Sequence, residues 1–239
     1  MNRVQRIVFS MLMTYLAAIL VLQHLLSDNF RIMGIVLYAL IASIFVGSRF
    51  APAPTKTHRT LARAIMFIVI GDFFLILLGT FPGISKGDLF VKVGGMIGFL
   101  CAYGTLITLY IRNFSFGKKD FLASLPVLAV LGPVLGVLLP LVPPGMKVFS
   151  VVFGLTVGFM AWNALCQIHR AYFTGTVAIR IAVSGFLMFL SDMGVAFVFF
   201  YPGMEQNSPW LENEIWITYV PAWSLVFVNL LEEKLLAGE

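Results

Sequence analysis

The chain has 239 residues, of which 60% are hydrophobic and only 11% charged, and its formal net charge is +5. Soluble globular domains carry about a quarter charged residues, so this composition, with a mean hydropathy of +0.96, excludes that class. Water would drive the surplus apolar surface to aggregate, whereas a bilayer replaces water around the fold. No polar stretch is long enough for the core of a second, soluble domain. One transmembrane domain over residues 1–239 is therefore expected, and the basic excess reads as membrane topology rather than nucleic-acid binding.

The first element is an apolar run from Ile7 to about residue 26, behind Arg3 and Arg6. It is longer than the roughly 7–15-residue core of a signal peptide, and no small-residue cleavage site follows it. It is read as the first span. Given that a crossing needs about 20 mostly apolar residues, eight transmembrane helices are predicted: 7–26, 31–49, 62–80, 90–111, 121–142, 146–168, 178–201 and 213–231. The fifth contains Pro126, Pro133 and Pro140; proline is tolerated in membrane helices where neighbours satisfy the freed carbonyls. The expected fold is an all-α polytopic membrane protein.

Loop charges orient the spans. With the N-terminus inside, the inner segments hold Arg3, Arg6, Arg49, Lys56, Arg59, Arg63, Arg112, Lys118, Lys119, Arg170, Arg180 and Lys234. The outer segments hold Arg31, Lys86, Lys92 and Lys147, so the division is 12 against 4. Positive-inside bias then places both termini in the cytoplasm. The expected location is a plasma membrane, in bacteria the inner membrane.

The two halves resemble each other in one motif. MFIVIGDFFLIL at 66–77 and FLMFLSDMGVAF at 186–197 are offset by 120 residues, and each lies in the third span of a four-helix half. A parallel 4+4 repeat would produce that spacing. Asp72 and Asp192 are also the sole acidic residues in the middle of a predicted span; the other nine lie in loops, tails or span ends. A carboxylate at the bilayer centre costs about 2.5–3.5 kcal/mol on insertion scales, so it faces the protein interior and usually acts there. Counted from Arg63 and Arg180, the two sit at depths of roughly 13 and 18 Å at 1.5 Å per residue. Two carboxyls meeting in one poorly solvated cavity would not both ionise, leaving a protonated acid beside an ionised base. The alternative is that each aspartate bonds a helix hydroxyl or the backbone and fixes packing, with Ser191, Tyr103 and Thr105 as available partners.

Other polar groups carry weaker signals. Asn163 and Gln167 lie four apart on the sixth span and Tyr103 lies in the fourth; amide side chains often join membrane helices to one another. Trp162, Trp216, Trp223 and Tyr219 would suit a lipid site or a membrane interface, and Gly94, Gly95 and Gly98 suit close helix packing. Arg112, Lys118 and Lys119 could meet lipid phosphates, although orientation already accounts for them. Cys101 and Cys166 fall in apolar runs and read as small buried hydrophobes. His24, His58 and His169 lie near span ends or in a loop, and no span presents a His pair at ligand spacing, so no metal is expected. No lysine sits at mid-membrane, which argues against a retinal Schiff base.

At the aspartates the chain resembles the lysoplasmalogenase-like membrane proteins, the YhhN and TMEM86 group. The resemblance lies in length, in eight spans and in two motifs: Phe67-Ile68-Val69-Ile70-Gly71-Asp72, and the run from Gly185 that ends Ser191-Asp192. It departs from the family pattern after the first motif, where Phe99-Leu100-Cys101-Ala102-Tyr103 carries tyrosine in place of histidine. In the last span, Tyr219-Val220-Pro221-Ala222-Trp223 carries tryptophan in place of glutamine, and an early Lys-Pro element has no clear counterpart.

The resemblance implies hydrolysis of the vinyl ether bond of a lysoplasmalogen, without metal or other cofactor. Asp72 and Asp192 would be the catalytic acid and base, and Tyr103, Asn163, Gln167, Ser191 and Tyr219 would meet the lysophospholipid. Intramembrane carboxylates also serve as proton relays, so a proton-coupled transporter is the alternative; a purely structural protein is the third reading.

Overall fold

The computed structural model describes residues 1–25, 30–52, 54–84, 88–204 and 209–238. Among these the chain forms eight α-helices: α1 (Arg3–Leu25), α2 (Phe30–Phe50), α3 (Lys56–Asp72), α4 (Leu89–Tyr110), α5 (Lys118–Leu138), α6 (Pro144–Arg170), α7 (Gly175–Phe200) and α8 (Pro209–Leu230). Seven of them, α1 to α7 with α3 continued to Thr80, are long and apolar enough to cross a membrane. α8 is 22 residues long and coincides with the eighth predicted segment. Extended pairing among the described residues is confined to one antiparallel bridge, Phe173 with Leu236.

Helix starts follow local chemistry. Thr55, extended at φ −106°, caps α3 by accepting from the His58 backbone N–H. Pro144 opens α6, where a missing N–H costs nothing because the first turn has no acceptor for it. Pro126 and Pro133 lie inside α5 and leave it continuous, whereas Pro140 falls in the turn beyond it. α3 extends past its regular part: directly after Asp72 it widens into a π turn over Phe73–Leu77 and then tightens to 3₁₀ over Leu78–Thr80. Apolar periodicity gives no warning of this change in pitch.

By packing, the chain divides into two compact units: residues 1–106 with 223–232, and residues 107–222 with 233–239. In the first, α2 packs on α1, on α3 and on the π and 3₁₀ turns. Glycines let backbones meet here: a Cβ on Gly98 of α4 would lie 2.6 Å from the Gly71 Cα of α3, and one on Gly47 of α2 would lie 2.6 Å from the Phe227 ring. At one end of this unit Gln5 of α1 donates to the Val228 carbonyl (3.3 Å) and to Glu232 Oε2 (2.9 Å). The buried His58 ring lies between Thr55 Oγ1 at 2.7 Å and the Glu232 carbonyl at 2.8 Å. The beginning of α1, the beginning of α3 and the end of α8 therefore share one face of the unit.

The second unit is dominated by the α6–α7 pair, with α5 packed on both. Gly185 of α7 lies flush with Ala164 and Met160 of α6. α6 ends at Ala171, in the left-handed region at φ 51°. The segment after it pairs with the C-terminal tail: Thr174 N–H donates to the Leu235 carbonyl and Ala237 N–H to the Tyr172 carbonyl, each at 3.0 Å.

Candidate active-site residues

In the first unit Asp72 is 2% exposed, although it sits in one of the most apolar stretches of the chain. Its position is set by close backbone contact. Gly71 rests against α4, where a Cβ would meet the Phe99 ring at 2.8 Å and the Gly95 carbonyl at 3.2 Å. The helix widens immediately after Asp72, and the Leu78 N–H donates to the Phe73 carbonyl five residues back. Single π turns inside α-helices are frequent at functional positions, because they re-aim the neighbouring side chains. Tyr103, wholly buried, lies one turn beyond Phe99 with ring centroids 6.1 Å apart.

Tyr38 of α2 was not among the candidates read from sequence. Its ring meets Phe73 edge-on at 6.4 Å, and it lies within electrostatic reach of Asp72. A lone phenol in the apolar run of the second span was the available signal.

In the second unit Asp192 of α7 is 5% exposed and its neighbour Ser191 is 1% exposed. The Ser191 hydroxyl donates to the Ile215 carbonyl of α8 at 3.3 Å. Glu214 rests on Gly194, where a Cβ would come within 2.5 Å of its Oε2. Tyr219 is buried, with its ring edge-on to Trp216 at 5.9 Å. Asp72 thus belongs to one unit and Asp192 to the other.

Asn163 and Gln167 turn their amides into a polar cluster that the sequence reading did not assemble. Gln167 Nε2 donates to the Tyr110 carbonyl (2.7 Å) and the Asn163 carbonyl (3.0 Å), and Asn163 Nδ2 donates to the Phe159 carbonyl (2.9 Å). Asn163 Oδ1 accepts from Arg170 Nη1 at 2.9 Å. At the centre is a buried ion pair: Arg170 Nε and Nη2 reach Asp120 Oδ1 at 2.9 and 2.7 Å. The Gly117 N–H donates to Asp120 Oδ2 at 3.1 Å, and Trp162 Nε1 donates to the Asp120 carbonyl at 2.7 Å. The Arg170 guanidinium also lies 5.0 Å from the centre of the Phe114 ring. By sequence Asp120 and Arg170 are a span-end and an orientation residue, since nothing in a one-dimensional pattern pairs positions 50 apart.

Cys166 is buried, but Cys101 points outward from α4, which corrects the reading of it as a buried thiol; both thiols are free. Trp223 is a core residue, 1% exposed. The side chains of His24, Arg31 and Lys86 lie outside the described residues.

The model of the YhhN family matches residues 5–229, nearly the whole chain. The chain belongs to the YhhN family. This family contains lysoplasmalogenases, and the matched stretch includes both aspartates. No curated protein and no solved structure matches the chain.

Proposed function

We propose that this YhhN-family membrane protein hydrolyses the vinyl ether bond of a lysoplasmalogen, releasing a fatty aldehyde and a glycerophospho-head group. The observation that carries the reading is the pair of buried carboxylates, Asp72 and Asp192, 2% and 5% exposed in mid-helix, within a chain of that family. Burying two acids among apolar helices is costly, and the reaction gives that cost a purpose.

A vinyl ether breaks by protonation at carbon, which creates an oxocarbenium ion. Water adds to that cation, and the resulting hemiacetal collapses to aldehyde and alcohol. A protonated aspartate would supply the proton as general acid. An ionised one would stabilise the cation and take the proton from water, as paired carboxylates do in glycoside hydrolysis. Asp72 and Asp192 are assigned these two parts. Of the polar side chains assigned to the substrate, Gln167 spends both amide hydrogens on carbonyls, Asn163 spends one, and Ser191 spends its hydroxyl hydrogen on the Ile215 carbonyl. Tyr103 and Tyr219, both buried, are the substrate-binding candidates retained.

We further place α8 as an eighth span, in one transmembrane domain with both termini in the cytoplasm of a bacterial cell. Two features support this topology: the surplus of basic residues in the inner segments and the contact of Gln5 with Glu232.

The test is to incubate the detergent-purified protein with a lysoplasmalogen and look for fatty aldehyde by mass spectrometry, with a saturated ether lipid as control. Aldehyde from the vinyl ether alone supports the proposal. A folded protein that releases none across several head groups, yet accumulates solute in vesicles under a proton gradient, would replace it with a transporter.

A further inference from the structure

We propose that Asp120, Cys166 and His169 form a zinc-binding site in the second unit. The inference does not rest on the hydrolase reading. One carboxylate oxygen of Asp120, the Sγ of Cys166 and a ring nitrogen of His169 all lie within 4.8 Å of one another. Cys166 and His169 are three apart near the end of α6, so they share a helix face, and Asp120 comes from the first turn of α5. The Cys166 thiol thus faces the Asp120 carboxylate. His169 Nε2 stands 3.4 Å from Asp120 Oδ1, and it is buried without a hydrogen bond among the described residues.

The Asp120–Arg170 ion pair explains why those two side chains are buried together. The His169 ring nitrogen faces the same carboxylate at 3.4 Å, within ion-pair distance but without hydrogen-bond geometry, whereas buried nitrogens of this kind are nearly always hydrogen-bonded. A metal ion would satisfy it. Sulfur, nitrogen and oxygen donors together select zinc among the common divalent ions. Zinc bonds of about 2.0–2.3 Å bring tetrahedral ligands to within about 3.5 Å of each other. A small rotation of His169, whose side chain is 21% exposed, closes the observed gap.

Charge also balances. Without metal, the ionised Asp120 and Arg170 cancel beside a neutral thiol. On binding, Cys166 releases its proton to solvent and zinc takes that place; two anions, one guanidinium and one divalent cation leave a single positive charge. Arg170 keeps its hold on the carboxylate from behind, as groups outside the coordination shell commonly orient metal ligands. The ion would join the start of α5 to the end of α6.

The purified full-length protein is loaded with zinc, desalted and analysed for bound metal, then titrated in parallel with cobalt(II) to look for thiolate-to-cobalt charge-transfer absorbance. Cys101→Ser leaves Cys166 as the one thiol. The expected result is one zinc per chain and a charge-transfer band in both wild type and Cys101→Ser. The band should vanish in Cys166→Ser, and affinity should fall about tenfold or more in His169→Gln, a milder change at a partly exposed position. Substoichiometric zinc in the wild type, a band that survives Cys166→Ser, or one that depends on Cys101 would overturn the site.

Discussion

Gly98 of α4 lies directly on Gly71 of α3, with room for no side chain between them: a Cβ at position 98 would sit 2.6 Å from both the Cα and the N of Gly71. The neighbour in the way is backbone, so it cannot rotate aside. Asp72 is the next residue, and the widened turn begins just beyond it. The placement of this carboxylate therefore depends on two absent side chains. Gly98→Ala should force the helices apart at the cost of overpacking, about 1–3 kcal/mol. The expected outcome is a lower melting temperature in detergent, with aldehyde release falling by more than the loss of folded protein accounts for.

Asp72→Asn and Asp192→Asn test the chemistry itself. The amide is nearly isosteric with the acid, so folding should hold, and insertion should become easier because an ionisable group leaves the membrane interior. Loss of a general acid or base costs roughly 10²–10⁴ in rate. Each variant should chromatograph like wild type and release aldehyde at least about a hundredfold more slowly. Wild-type rates in either one would remove that aspartate from the mechanism.

Arg170→Met takes the guanidinium from the buried Asp120, which keeps the Gly117 N–H but loses its charge partner at 2.7 Å. Breaking a buried pair by removing one member costs about 3–5 kcal/mol, whereas replacing both members is often close to neutral. The single variant should be strongly destabilised, and Asp120→Leu combined with Arg170→Met should recover much of the loss. Melting temperatures of the two singles and the double in one detergent form the thermodynamic cycle that decides this. Equal losses in single and double variants would contradict it.

Tyr38→Phe removes one hydroxyl within electrostatic reach of Asp72 and keeps the ring that packs on Phe73. A polar neighbour in a low-dielectric interior biases the protonation of a buried acid. Turnover should therefore fall about two- to tenfold, with an altered pH–rate profile and an unchanged melting temperature. A shift in melting temperature without one in the pH profile would make Tyr38 a packing residue only.

Much of this protein is legible in its amino-acid sequence, because the bilayer acts on each residue alone. An apolar run of about 20 residues spans whatever its neighbours are, so seven spanning helices and α8 fall where the hydropathy puts them. A mid-span acid is costly on its own account, so Asp72 and Asp192 stand out without reference to any partner. The glycines at 94, 95 and 98 likewise announce close packing. What stays hidden in the sequence depends on groups distant along the chain. The π turn after Asp72 is a change of backbone pitch that no side-chain period encodes, in a segment packed on α2. Asp120 and Arg170 read as two ordinary loop charges, and only the fold of α5 against α6 brings them to 2.7 Å. Cys101 and Cys166 look alike in sequence, yet one faces outward and the other is buried. Hydropathy reports the solvent a residue can tolerate; which neighbour it meets is settled by packing.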